Sequence, residues 1–225
     1  DQVISLTAPD ARVAEADLAE ARRWWDARGV LADGLARVCF VGSHTQSFDM
    51  DAVAATVAQV AALGQPCEFV FCGDGESSAE WRRLMSGAAN VVFAGWVGRP
   101  QIEALAERSM AALAPYHNTE DFIMSVPNKV IDSLALGLPV LSPLQGEVAR
   151  LISSHGVGLS YGAASGASLS ECLARLLQDK ALQQELSANA ARLYSAQFSF
   201  EMVYGGLVAH LEGLARKPGP VAGHG

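Results

Sequence analysis

The sequence predicts an α/β domain with a Rossmann-like, doubly wound parallel sheet of about six strands, flanked by helices and followed by C-terminal helices. From about Arg37 to Tyr161, short apolar runs alternate with helical patterns, the signature of successive βαβ units. The runs are mostly too short and too apolar to be anything but fully buried strands. Crossovers this short point to a Rossmann-like arrangement, in which ligands sit at the carboxyl ends of the strands near the point where strand order reverses. A chain of 225 residues suits one such domain with a helical appendage, not two domains.

The elements follow in order. Residues 1–36 read as a lead-in from a truncated N-terminal region: the chain opens on Asp1, enters an apolar stretch at Val3–Leu6, and continues as a charged helix from Asp10 to Arg28 bearing Trp24 and Trp25. The sheet domain is placed at residues 37–198. Its strands are Val38–Val41, Glu68–Cys72, Asn90–Phe93, Met110–Ala114, Pro139–Leu141 and Gly158–Tyr161. The first intervening helix carries Val53, Val57 and Val60 on one face, and a later one carries Ile102 and Leu105. Beyond Tyr161, two helical stripes follow: Leu169, Cys172, Leu173, Leu176 and Leu177, then Leu182, Leu186 and Leu193. A last helix, within residues 199–216, runs from about Phe200 to Ala215 and presents Val203, Leu207, Leu211 and Leu214. Residues 217–225, rich in Gly and Pro, are expected to be disordered. There is no internal repeat.

Composition excludes several classes. Sixteen basic against 24 acidic residues give a net charge of −8, the wrong sign for a nucleic-acid partner. No apolar run approaches the roughly 20 residues of a membrane helix, and the N-terminal residues do not read as a signal peptide. Cys39, Cys67, Cys72 and Cys172 lack the paired spacing of a zinc or redox site and read as buried free thiols. The expected location is the cytoplasm, with the full-length protein at most peripheral to a membrane. His44, His117 and His155 are too scattered for a metal site.

The most informative segment is Met124–Val140. Ser125 is a cap candidate, Pro127 suits a first turn, and Gly137 is the residue favoured just past a helix end. A helix starting here points its N-terminus into the strand-end crevice, where free amides and the dipole favour an anion. Asn128 and Lys129 add donors for a diphosphate, and Asp132, one turn deeper, can accept hydrogen bonds from the two hydroxyls of a ribose. The competing reading is a capped helix whose Lys129 and Asp132 are solvated or form a local ion pair.

A second helix start follows at Ser142–Val148, where Gly146 permits close approach of the main chain and Glu147 can accept hydroxyl hydrogen bonds or merely complement the dipole. Gly42, Ser43 and His44 after the first strand form a small polar loop without the full glycine fingerprint of dinucleotide sites, and Gly73-Asp74-Gly75 is a fragment of one. A nicotinamide or flavin dehydrogenase is therefore disfavoured. Gly95-Trp96-Val97-Gly98 follows the third strand, where a flat base can lie against the chain, although a tryptophan such as Trp96 is more often core.

The ordered set Phe-Val-Gly, Phe-Cys-Gly-Asp-Gly, Val-Val-Phe-Ala-Gly-Trp-Val, Ser-Val-Pro-Asn-Lys, Ala-Leu-Gly-Leu-Pro-Val and Gly-Glu-Val resembles the C-terminal domain of the large retaining GT-B glycosyltransferase family, group 1. The resemblance runs from about Val38 to Gly162. The Pro-Asn-Lys version looks like the branch acting in bacterial polysaccharide and glycoconjugate assembly. It implies half of a GT-B fold that binds a UDP- or GDP-sugar without metal or other cofactor, while an N-terminal domain holds the acceptor. The family commonly carries two Glu separated by seven positions; Met124 and Asp132 stand there, so only the ribose role transfers, to Asp132. The basic pair that clamps the diphosphate is replaced near Ser43 and Phe48, which leaves Lys129 to supply that charge. No catalytic residue is assigned, and the isolated chain is expected to be inactive. Two other readings stay open: a nucleotide-sugar epimerase of the same architecture, and a non-catalytic nucleotide-binding or scaffold module.

Overall fold

A computed structural model describes residues 13–215; the calls on Val3–Leu6, on the start of the first helix at Asp10–Arg12 and on the tail lie outside the described residues. The chain runs α1 (Glu15–Asp26), β1 (Ala36–Val41), α2 (Met50–Ala62), β2 (Cys67–Cys72), α3 (Ser78–Leu84), β3 (Val91–Gly95), α4 (Arg99–Ala106), β4 (Ala111–Leu113), α5 (Glu120–Ile123) and α6 (Asn128–Ala135). It continues through β5 (Val140–Ser142), α7 (Glu147–His155), β6 (Gly158–Ser160), α8 (Gly166–Gln178), α9 (Lys180–Leu193), a π-helical turn at Tyr194–Phe198 and α10 (Phe200–Ala215). All six expected strands form, with ends that differ by a residue or two.

The strands make one parallel sheet in the order β3-β2-β1-β4-β5-β6. Strand order therefore reverses between β1 and β4, and a doubly wound sheet opens its ligand crevice at that reversal. Alternation along each strand sends its side chains to opposite faces. Val38 and Phe40 of β1, with Phe69 and Phe71 of β2, point to one face and meet Val53, Val57, Trp81, Leu169 and Leu173 from α2, α3 and α8. Each fully buried side chain of this size contributes roughly 1.5–3 kcal/mol. The two edge strands are the least buried: β3 leaves all its residues partly exposed and β6 exposes Ser160.

The other face carries two separate clusters. Trp25, Val30, Leu105 and Ala112 pack under α1 and α4, whereas Val130, Leu134, Val140, Val148 and Ile152 pack among α6, α7 and β5. α1 is tied to the α4 region by Trp25 Nε1, which donates to the Gln101 carbonyl at 2.7 Å, and by Arg22, which reaches Glu107 at 2.6 Å. On this face a crevice opens between α4 and α6, over β1 and β4 where strand order reverses.

Candidate functional site

The crevice is a cleft of about 690 Å³ floored by Cys39 and Val41 of β1 and Ala112 of β4. Arg99, Ile102 and Glu103 of α4 form one wall, and Lys129, Asp132 and Ser133 of α6 form the other. Its size falls in the range of small-molecule sites.

Lys129 organises the upper end. Its ammonium reaches from the first turn of α6 across to β1, donates to the Val41 carbonyl, and lies 3.9 Å from the Phe40 ring centroid and 5.3 Å from that of Phe48. Gly42 makes this possible: with φ of +146°, it has a conformation that L side chains rarely adopt, and a β-carbon there would collide with the Lys129 amino group. Gly73, at φ of +122°, backs Gly42 so closely that a β-carbon would strike the Gly42 carbonyl. Main-chain bonds lock the strand ends together, from Gly42 N to Cys72 O at 3.0 Å and from Gly73 N to Gly95 O at 2.7 Å.

Burial pulls the Lys129 ammonium down to about 8, against the opposing pull of Asp132. The same cause raises the Asp132 carboxyl above its ordinary range, and Lys129 opposes that rise. A partly desolvated cation with one carbonyl acceptor is suited to exchange that acceptor for an anionic ligand, which would restore its ordinary basicity.

The helix start differs in detail from expectation. Ser125 does not cap α6: its hydroxyl donates to the Asp121 carbonyl at 2.8 Å, within α5, while Pro127 takes the N-cap position with extended backbone. Proline's fixed φ supplies the turn without any side-chain bond, so no side chain caps the first amides of α6. Asn128 and Met124 are solvent-exposed beside it.

The remaining predicted residues are arranged less tightly. Ser43 is exposed at the rim. His44 is fully buried, its side chain turned into the core and not toward the crevice. Trp96 is not core: it is 70% exposed, because Gly95 at φ of +73° turns the chain outward and it is Val97 that packs inward. Gly146, at φ of +67°, sits so close to the Ile123 carbonyl that no β-carbon fits, and this brings the second helix start beside α5. Glu147 is held by Arg150 on its own helix.

The sequence reading missed the Val41 carbonyl, Phe40, and the α4 wall of Arg99, Ile102 and Glu103. Phe40 was readable only as a core strand residue. Asn118 was also missed: its Oδ1 accepts from Gln145 N at 2.8 Å and its Nδ2 donates to the Pro143 carbonyl at 3.0 Å, fixing the loop that presents Gly146.

Fold and crevice together define a doubly wound α/β domain whose α6, without a side-chain cap, starts beside the switch point. The sequence profile of the family described as "Glycosyl transferases group 1" matches residues 36–179, and the chain belongs to that family. No curated protein matches the sequence. Among solved structures, the fold is similar to WaaG, a glycosyltransferase involved in lipopolysaccharide biosynthesis (TM-score 0.70, 17% identity, 91% of this chain and 55% of that one). It is also similar to sucrose-phosphate synthase from Thermosynechococcus elongatus (0.69, 20%, 87% and 49%). Anabaena HepE, solved with UDP and glucose, is a third (0.67, 14%, 89% and 53%). The chain spans about half the length of these proteins. They share its GT-B half-fold, a six-stranded parallel sheet with flanking helices.

Proposed function

We propose that this chain is the donor-binding half of a GT-B glycosyltransferase, which holds a UDP- or GDP-sugar for transfer, with retention, to a glycan or glycoconjugate acceptor bound by another domain. The observation that carries the reading is the reach of Lys129 from the uncapped start of α6 to the end of β1, across the switch point. There it stands beside the Phe48 loop, in place of a first-loop basic clamp. HepE, a structural neighbour, was solved with UDP, which supports a uridine diphosphate as the donor's leaving group.

In this reading the diphosphate lies on the first amides of α6 and on Lys129, and Asp132 accepts hydrogen bonds from the ribose hydroxyls. Negative charge builds on the diphosphate as the glycosidic bond breaks, so donors fixed in a desolvated cleft favour the transition state over the ground state. The reading assigns charge neutralisation to Lys129 and the helix terminus, without a metal. Four buried free thiols, and the lack among the described residues of a helix long and apolar enough to cross a membrane, support placing the protein in the cytoplasm. Acceptor alignment is assigned to a partner domain, so the chain by itself binds donor and transfers no sugar.

The test is calorimetry with UDP, GDP, UMP and GMP in the absence of divalent metal. Diphosphates binding at least tenfold more tightly than the matching monophosphates is the expected result. Equal affinities would sink the assignment.

A further inference from the structure

His44 is fully buried, yet it is tied to the loop after β2 at three points. Its amide donates to the Asp74 carbonyl at 3.0 Å, its carbonyl accepts from Ser77 N at 3.1 Å, and its Nδ1 lies 2.8 Å from Ser78 Oγ. The ring is stacked on Trp81, with centroids 4.2 Å apart, tilted against Phe40 and edge-on to Phe93.

The Ser78 hydroxyl decides which ring nitrogen carries the proton. Its single proton goes to Asp74 Oδ1, which leaves two lone pairs. One accepts from Gly75 N at 2.8 Å, so the other accepts from Nδ1–H. Nε2 is then a bare acceptor, buried and without a hydrogen-bond partner. It faces Gly73, where a β-carbon would stand 3.5 Å away.

We propose that His44, as the neutral Nδ1–H tautomer, is a positioning residue that locks the loop after β2 onto the loop after β1 and so sets the Gly42–Gly73 wall against which Lys129 is held. Its effect on ligand rests on the donor-binding role proposed above; the lock itself does not. The charged groups around the ring are Asp74, which favours a second proton, and Arg82 and Lys129, which oppose it. Burial is the largest influence and holds the imidazole below its ordinary value of 6.5. When acid does protonate the ring, a buried cation appears beside Gly73, favoured by the Cys72 carbonyl but opposed by burial and by Arg82 and Lys129, so the wall loosens.

The experiment combines ¹⁵N-histidine NMR with calorimetry using an intact UDP-sugar, whose diphosphate has no ionisation of its own near pH 6. The expected NMR result is a protonated Nδ1 and an unprotonated Nε2 for His44 at neutral pH. Donor affinity should fall as the pH drops below the ordinary histidine range. In His44→Asn, the amide nitrogen replaces Nδ1–H but cannot titrate. This variant should keep affinity within about threefold at neutral pH and lose that part of the acid limb, while any contribution from Asp132 remains. His44→Gln, which places its amide nearer Nε2, and Ser78→Ala, which removes the acceptor, should each weaken binding about tenfold. A proton on Nε2 in place of Nδ1 would overturn the lock, as would Gln rescuing better than Asn, or an unchanged acid limb in the Asn variant. If the wild-type chain binds no UDP-sugar, the donor reading fails, and the lock is decided by the histidine resonances and by whether Asn restores the melting temperature that Gln does not.

Discussion

The two helix starts at the strand ends look alike in sequence, each with a small residue or proline followed by a charged side chain, yet they are used differently. In α6, Lys129 crosses the switch point to the end of β1 and is half buried beside Asp132; in α7, Glu147 pairs with Arg150 on its own exposed surface. What differs is the neighbour. α4 and α6 stand apart over β1 and β4, leaving a cleft beside Lys129, whereas the start of α7 is closed off by Ile123 and the loop fixed by Asn118. A charged residue at a helix N-terminus becomes part of a site only where the topology leaves space in front of it.

The largest effect is expected at Lys129. Lys129→Met should lower diphosphate affinity by about 2 kcal/mol or more and flatten its salt dependence, with nucleoside affinity nearly unchanged, as read by calorimetry at two ionic strengths. Equal weakening of both ligands would mean that the lysine supports the fold instead.

Asp132→Ala should weaken UDP and GDP binding by about 1–3 kcal/mol, the scale of lost charge-assisted hydrogen bonds. 2′-Deoxy-UDP should lose less in this variant than in the wild type. An unaffected variant would remove the ribose role.

The pH dependence follows from the same lysine. Its ammonium, held to about 8 by burial, is protonated below that value and neutral above it, so UDP affinity should fall as pH rises through about 8. The Lys129→Met variant should show no such fall over the same range. A wild-type profile that stays flat to pH 9 would show that the cation is not at the diphosphate.

The smallest change is expected at α7. Glu147→Gln removes an exposed ion pair and should alter stability and UDP affinity by no more than about 0.5 kcal/mol. A tenfold loss of donor affinity would put the carboxylate back at the sugar and erase the difference between the two helix starts.

The amino-acid sequence by itself determined the six strands, the helices between them and the segment that opens α6. Those features depend on local period, on proline and glycine, and on apolar runs that only a buried strand satisfies. Asp132 was legible as a candidate for the same reason, being one helical turn from Asn128. Tertiary structure decided the rest. Strand order depends on which helix faces fit together, so neither the β1/β4 reversal nor the cleft it opens could be read from spacing. Trp96 was read as more often core, yet a glycine turn exposes it. His44 looked like a loop residue, and only the approach of the β2 loop, with the Ser78 hydroxyl and Trp81 waiting, turned it inward. Lys129 had the right charge in sequence, but its target was a main-chain carbonyl 88 residues away, set by two glycines that leave room for nothing else.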